Sequence, residues 1–411
     1  MKIGLIGFGK MGASIFKLLS DNSFEITVVE LNHKLMESSA AKFYQKLERS
    51  LTRQGLSASD INLRKAAYRF SSELSALSNM DIVIEAIYED FDVKARLFPQ
   101  VESIVRKDTL LLTNTSSLSV DKLSRLLLHP ERFCGFHFFH PIVLINLVEI
   151  IKTGEKPEWL IEKLETFSKQ IGKKAVVVMD APGSVINAVL VYYYAEAIYI
   201  LEEGLALPSQ VDRYAKAFFY VGPCESIDII GIDLFLAALV NVPGPEEFSM
   251  VPIRRPKSGQ EKLSQEAIGG RRGFYYPPLF EKLLADRRLG KKVSLGLYRY
   301  EKNMPLDDAP DYYLNPKRCT QNPYVENLEE VISTRLLYAV FNGVVDCLKN
   351  KLSSEREIDL GIQEILQMKE GPVTIMKNLG IHTVNEVSEK LAQRFGERFR
   401  QISSCLSTLY E

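Results

Sequence analysis

The strongest constraint on how this chain folds is an alternation within its first 180 residues. Short apolar, β-branched runs, "KIGLIGFG", "EITVVE", "MDIVIEAI", "TLLLTNTS", "RFCGFHFF" and "KAVVVMD", are separated by segments whose apolar residues recur at helical spacing. Parallel strands need long crossovers, and helices fill them, so the pattern reads as βαβ units carrying a mostly parallel sheet. From Val185 onward strand signals nearly vanish and long helical patterns take over, with "DAPGS" at 180–184 marking the change. The expected fold class is α/β over residues 1–182, then all-α: a first helical unit at 183–300, a linker at 301–330 and a second helical unit at 331–411. A stretch rich in Pro, Gly and Arg at 243–278 reads as a long loop.

The helical half carries a faint internal repeat. "LEEGLALPSQVD", Leu201 to Asp212, aligns with "LKNKLSSEREID", Leu348 to Asp359, at an offset of 147. Each follows a long apolar pattern and each leads to a Gly-Pro pair, Gly222-Pro223 and Gly371-Pro372. This spacing suggests a duplicated helical unit.

Composition excludes several classes. Lysine plus arginine number 51 against 52 acidic residues, a formal charge of −1, which argues against a general polyanion binder and so against a nucleic-acid partner. The five cysteines lack CxxC spacing, so neither a disulfide framework nor a zinc site is suggested. The most apolar long stretch, Val185 to Leu201, carries Glu196 and four tyrosines and reads as a buried helix. With no basic-then-apolar leader in the pattern either, the expectation is a cytoplasmic protein without a membrane partner.

"GLIGFGKMG" places Gly7, Gly9 and Gly12 after an apolar run and before a helical pattern, with Met11 inside the turn. In such a GxGxxG the first glycine permits a tight turn, the second lets backbone approach a pyrophosphate, and the third allows close helix–strand packing. Glu30 ends the next run eighteen residues after Gly12, where a carboxylate accepts hydrogen bonds from an adenosine ribose and repels a 2′-phosphate. The expected cofactor is therefore NAD rather than NADP.

The segment "CGFHFFHPIVLINLVEI" then sets His137, His140 and Glu149 in mostly apolar sequence. Buried ionisable groups are costly unless paired. Two histidines without further ligands do not make a metal site. Read in order, Gly7 to Gly12, Glu30, "DIVIEAIYEDFDVKARLF", "TNTSSLS", "GFHFFHP", "LVEI", "DAPGSVIN" and "GPCES" resemble the L-3-hydroxyacyl-CoA dehydrogenase family over roughly residues 1 to 300, and the remainder resembles the second helical unit of its long members.

The resemblance implies a Rossmann-type N-terminal domain, then helical domains of the 6-phosphogluconate dehydrogenase C-terminal-like type, with the active site in the cleft between them. It implies NAD-dependent oxidation of a 3-hydroxyacyl-CoA, with His137 as base and Glu149 as its partner. Ser116 and Asn187 match residues that bond substrate and complete the site; for each, a helix cap is the alternative. Glu89, Lys94, Asn114, Ser116 and His140 match positions on the nicotinamide side of the cofactor. In "KFYQKLERSLTR", Lys42, Lys46, Arg49 and Arg53 form one basic stripe beside the apolar Phe43, Leu47 and Leu51, and Lys46 and Arg53 match the family's CoA contacts. A solvated charged face is the alternative. The implied partner is an acyl-CoA or related hydroxyacyl substrate, and the assembly a monomer or homodimer.

The match has departures. The family's "HFFNP" is "HFFHP" here, so His140 replaces an asparagine. "PGFVVNR" becomes "PGSVINA" at Ser184 and Ala188, and "MGPFE" becomes "VGPCE" at Cys224. These suggest altered substrate choice or reduced activity. A dehydrogenase of a non-CoA or carrier-bound hydroxyacid and an impaired NAD-binding regulatory protein remain the alternatives.

Overall fold

The computed structural model describes residues 1–22, 24–154, 156–181, 183–241, 279–307, 310–313, 327–399 and 402. The chain divides into two compact units, Met1–Asp180 and Ala181–Glu411.

In the first unit the β-branched runs form β1 (Lys2–Ile6), β2 (Glu25–Val29), β4 (Ile82–Glu85), β5 (Leu110–Thr113), β6 (Phe133–Phe138) and β8 (Lys174–Met179), joined by β3 (Tyr68–Ser71) and β7 (Leu147–Lys152). The sheet order is β3-β2-β1-β4-β5-β6-β7-β8. Every pairing is parallel except β6 with β7, which is antiparallel. Crossovers run through α1 (Lys10–Ser20), the pair α2 (His33–Arg53) and α3 (Ala58–Ala66), α4 (Phe91–Ile104), α5 (Val120–Ser124) and α6 (Glu158–Gln170). Central-strand side chains such as Ile3, Leu5, Val28, Ile84 and Leu112 are fully buried, as expected where helices cover both faces. Phe43 turns the apolar stripe of α2 inward, its ring edge-on to Phe16 at 4.6 Å. The strand order reverses between β1 and β4, which opens a crevice at their carboxyl ends.

Two of these strands differ from the six runs read in the sequence. β3 spans four residues, one of them Arg69, too short and too polar to stand out. β7 shows no alternation because β6 and β8 flank it and all but its last residue are buried.

The second unit is built on α7 (Val185–Glu202), α8 (Pro208–Ala215), α9 (Pro223–Ile230), α10 (Ile232–Asn241) and α11 (Leu279–Ala285). After a one-turn α12 (Pro310–Tyr313) come α13 (Leu328–Lys349), α14 (Glu355–Leu366), α15 (Pro372–Leu379) and α16 (Ile381–Phe395). By length and composition α7 and α13 would each cross a membrane, but 83% and 78% of their apolar windows are buried here, as in core helices. They cross closely at Gly343, where a Cβ would lie 2.8 Å from the Val189 backbone. Arg335, fully buried on α13, bonds Glu196 at 2.6 Å and Glu203 at 2.6 Å. The expected loop at 243–278 lies outside the described residues. The start of the expected linker, by contrast, is a small hairpin, Arg299–Glu301 with Met304–Leu306.

The repeat has a common physical device. Asp212 on α8 accepts the N–H groups of Cys224 (2.7 Å) and Glu225 (3.0 Å) at the start of α9. Asp359 on α14 accepts those of Val373 (2.6 Å) and Thr374 (3.0 Å) at the start of α15. The glycine before each proline is required, since a Cβ would fall 2.5 Å from Asp212 at Gly222 and 2.2 Å from Asp359 at Gly371. Removing a cap of this kind costs about 2 kcal/mol at most. Asp359→Ala should therefore lower the unfolding free energy of the helical unit by that order while NAD affinity stays at its native value, checked by urea unfolding alongside cofactor titration.

Candidate active site

The glycine turn has the geometry its spacing predicts. Gly7 adopts φ +93°, with a Cβ position 2.8 Å from the Ala86 carbonyl oxygen, and a Cβ on Gly12 would sit 2.1 Å from the Gly7 oxygen. A Cβ on Gly9 would meet nothing within 4 Å, so the space beside the turn is open where a pyrophosphate would lie. Gly9 is the N-cap residue of α1 and supplies no side-chain cap, and Met11 lies in the helix's first turn. The N–H groups of this turn suit an anion. Glu30 takes the Phe8 N–H on one carboxylate oxygen and the Asn32 N–H on the other, both at 3.1 Å. A cavity of about 540 Å³ at the strand ends is lined by Gly7, Gly9, Glu30, Leu35, Ala86 and Tyr88, among others. Turn, carboxylate and cavity together fit a dinucleotide.

Next along the strand ends is the loop after β5. Glu89 Oε1 gathers Thr115 Oγ1 (2.5 Å), the N–H groups of Ser116 (2.9 Å) and Ser117 (3.0 Å), and Ser117 Oγ (3.1 Å). Its Oε2 meets the fully buried Lys94 ammonium at 2.9 Å, which also meets Glu85 at 3.0 Å. Burial alone would raise the Glu89 carboxyl, but Lys94 and the hydrogen bonds outweigh it and hold the group at about 2. Burial pushes Glu85 up, with Lys94 and Thr113 pulling against it. Asn114 Oδ1 accepts the Phe138 N–H at 2.8 Å and so ties the end of β5 to β6. Ser116 is exposed, and the cap of α5 is Ser119 instead, which removes the helix-cap alternative for Ser116.

β6 and β7 carry the pair. In their antiparallel register His137 stands directly opposite Glu149. His137 Nδ1 lies 2.8 Å from Glu149 Oε2, with the two residues 5% and 0% exposed. Against an ionised carboxylate, which only accepts, a neutral ring would carry its proton on Nδ1 and keep its lone pair on Nε2. The loop that joins the strands holds a cis His140–Pro141 bond and is stapled by Lys173, whose ammonium donates to the Ile142 and Ile145 carbonyls at 2.5 and 2.7 Å. Burial lowers the Lys173 ammonium from the ordinary lysine range. His140 is exposed overall, and partial burial of its ring, then the Lys10 charge, lower its imidazole from the ordinary histidine range.

The family model described as "3-hydroxyacyl-CoA dehydrogenase, NAD binding domain" matches residues 2–181, and "3-hydroxyacyl-CoA dehydrogenase, C-terminal domain" matches twice, at 183–300 and 331–411. The chain belongs to the 3-hydroxyacyl-CoA dehydrogenase family. Its sheet unit is that family's NAD-binding domain, so NAD is the cofactor. A peroxisomal bifunctional enzyme of Danio rerio is 30% identical over 86% of this chain and 47% of its own length. The mitochondrial hydroxyacyl-coenzyme A dehydrogenase of Sus scrofa is 29% identical over 73% of this chain and 91% of its own. The crystal structure of 3-hydroxybutyryl-CoA dehydrogenase from Escherichia coli superposes with a TM-score of 0.78 at 24% identity, covering 100% of this chain and 99% of that one, a likeness of fold. The chain spans about half the length of the bifunctional enzymes it matches.

Several family positions acquire a physical reading. Lys42, Lys46, Arg49 and Arg53 are all exposed along α2. In the helical unit Ser184, which stands where the family has an aromatic residue, caps α7 by accepting the Asn187 N–H at 3.2 Å. The cap of α7 is thus Ser184 and not Asn187. Ala188 and Cys224 are buried, the latter beside the Asp212 cap. Sequence reasoning missed Glu85 and Lys173. Glu85 lies inside an apolar strand run, and Lys173 in a turn where only tertiary contacts reveal its partners.

Glu89 yields a pH prediction. Its folded value of about 2 lies below the ordinary 4.5, so it contributes stability above pH ~4.5 that is lost as pH falls toward 2. The midpoint gap between the native chain and Glu89→Gln should close over that window in thermal unfolding followed at several pH values. A pH-independent gap would contradict the ionised, paired carboxylate.

Proposed function

We propose that this protein is an NAD-dependent L-3-hydroxyacyl-CoA dehydrogenase, with His137 as general base or acid. The observation that carries the reading is the buried 2.8 Å pair of His137 Nδ1 with Glu149 Oε2. The pair leaves Nε2 free in tautomer to take the proton of a 3-hydroxyl, and the adjacent carboxylate balances the imidazolium that results. The glycine turn and Glu30 would hold NAD, which when bound would supply the hydride acceptor. In the reverse direction the imidazolium returns its proton to the 3-keto oxygen.

The other residues have supporting roles. The exposed Ser116 hydroxyl is the group that donates to the substrate oxygen. Asn114 ties the segment that carries Ser116 to the His137 strand by accepting the Phe138 N–H. The exposed stripe of α2, with Lys46 and Arg53, suits the phosphates of a CoA thioester. Whether the carrier is CoA or a protein-bound phosphopantetheine is read from the effect of charge reversal on that stripe.

The test is NADH oxidation with acetoacetyl-CoA and longer 3-ketoacyl-CoAs. His137→Ala should lower kcat by about 10²- to 10⁴-fold while the Kd for NADH changes by about twofold or less. Full turnover in that variant would overturn the assignment. In the oxidative direction Glu149→Gln should lower kcat less severely and move the rise of rate with pH toward acid, because the imidazolium loses its counter-charge. An unmoved profile would count against the pair. Lys46→Glu with Arg53→Glu should raise KM for the CoA substrate by about 10-fold or more with kcat little changed. An unaltered KM would transfer the proposal to a non-CoA hydroxyacid.

A further inference from the structure

A buried cluster of charges joins the two helical copies. At the repeat offset of 147, α13 aligns with α7 without a gap, so that Arg335 corresponds to Ala188, Gly343 to Glu196 and Asn350 to Glu203. Arg335 and Glu196 are 0% and 2% exposed. The arginine donates from Nε to Glu196 Oε1 at 2.6 Å and from its two terminal nitrogens to Glu203 at 2.6 and 3.0 Å. A second cation comes from the turn after α16, where Arg398 donates to Glu196 Oε2 at 2.7 Å and to Glu203 Oε1 at 3.3 Å. That turn is held by its own copy: Asn342 Nδ2 donates to the Arg398 carbonyl at 2.9 Å, and Ser388 Oγ donates to the Phe399 carbonyl. Both carboxylates of the cluster therefore belong to the first copy and both cations to the second.

Where two identical copies meet about a two-fold axis, every contact recurs on the other side of the crossing. Here the recurrence fails. The positions equivalent to the Arg335–Glu196 contact are Ala188 and Gly343, and Gly343 packs directly on Val189, where a Cβ would lie 2.8 Å from its Cα. A copy facing its own kind would bury Glu196 without a cation, or Arg335 without a carboxylate, and a buried charge deprived of its partner is strongly destabilising. We infer that this division of charge is a pairing code: the α7 face of 183–300 accepts the 331–411 copy, which brings two arginines, and is mismatched to a second 183–300 unit, which brings two more glutamates. The cluster thus selects the partner as well as holding it, by setting an attractive contact for the right copy and an uncompensated charge for the wrong one. The inference is independent of the dehydrogenase reading, because none of the four residues takes part in the site described above.

The test uses two full-length chains with opposite reversals, Glu196→Arg with Glu203→Arg in one and Arg335→Glu with Arg398→Glu in the other. Each chain alone sets like charges against each other within itself. Together, the native glutamates of the second chain meet the native arginines of the first, and the reversed groups meet each other with opposite sign. The two are refolded from urea separately and as an equimolar mixture, and their sizes are read by sedimentation. The inference predicts a folded two-chain species in the mixture, about 10-fold or more above its level in either chain alone. A labelled native chain refolded with either variant should stay outside that species, since it already carries its own match. A mixture that is only the sum of its parts overturns the inference, and so does equal recruitment of the native chain. Native size and urea midpoint in both separate variants would overturn it as well. The milder pair Glu203→Arg and Arg398→Glu, at the partly exposed edge of the cluster, gives the same readout even if the fully reversed chains are recovered only as aggregates: a two-chain species confined to the mixture supports the code, and its absence overturns it.

Discussion

The reversal of strand direction between β6 and β7 is the constraint on which the site depends. In a parallel pair the two residues that need each other would have come from strands separated by a helix. Antiparallel pairing instead sets His137 opposite Glu149 only twelve residues away, side by side on one face of the sheet. Both are nearly out of water, where either alone would be costly, so each makes the other tolerable. Lys173 completes the device by holding two carbonyls of the connecting loop, which fixes the turn without a second ion pair.

The same economy runs across the carboxyl ends of the strands. Glycines at Gly7 and Gly12 let α1 start close against β1, while open space at Gly9 leaves an approach for phosphate. Glu30 ends β2 at the cavity rim, Glu89 gathers the loop after β5, and Asn114 binds that strand to β6. Each polar side chain therefore holds backbone from a neighbouring element, and the crevice at the switch point becomes a series of positions set by hydrogen bonds rather than by loop stiffness.

Much of this was legible in the sequence, for physical reasons. A GxGxxG between a strand and a helix carries steric requirements that few other arrangements share, so the geometry of the glycine turn could be read from spacing alone. The His137–Glu149 pair was visible as charge in an apolar segment, although its antiparallel register was not, because β7 lies among other strands and shows no alternation. Glu89 and Lys94 read as positions on the nicotinamide side of the cofactor, and their i to i+5 spacing gives no hint that Glu85 closes around the lysine. Ser184 read only as a departure from the family, yet it caps α7, a role that depends on where the helix begins. The repeat was faint as letters and clear as chemistry: Asp212 and Asp359 each cap a Gly-Pro helix start.

The central claim, that the cross-strand carboxylate fixes the imidazole of His137 for proton transfer at Nε2, is tested most directly by ¹⁵N NMR of the histidine side chains in the native chain and in Glu149→Gln. The account predicts that the neutral ring of His137 carries its proton on Nδ1 in the native protein and becomes a mixture of tautomers once the carboxylate is replaced. A neutral ring protonated on Nε2, or a tautomer indifferent to Glu149, would contradict it.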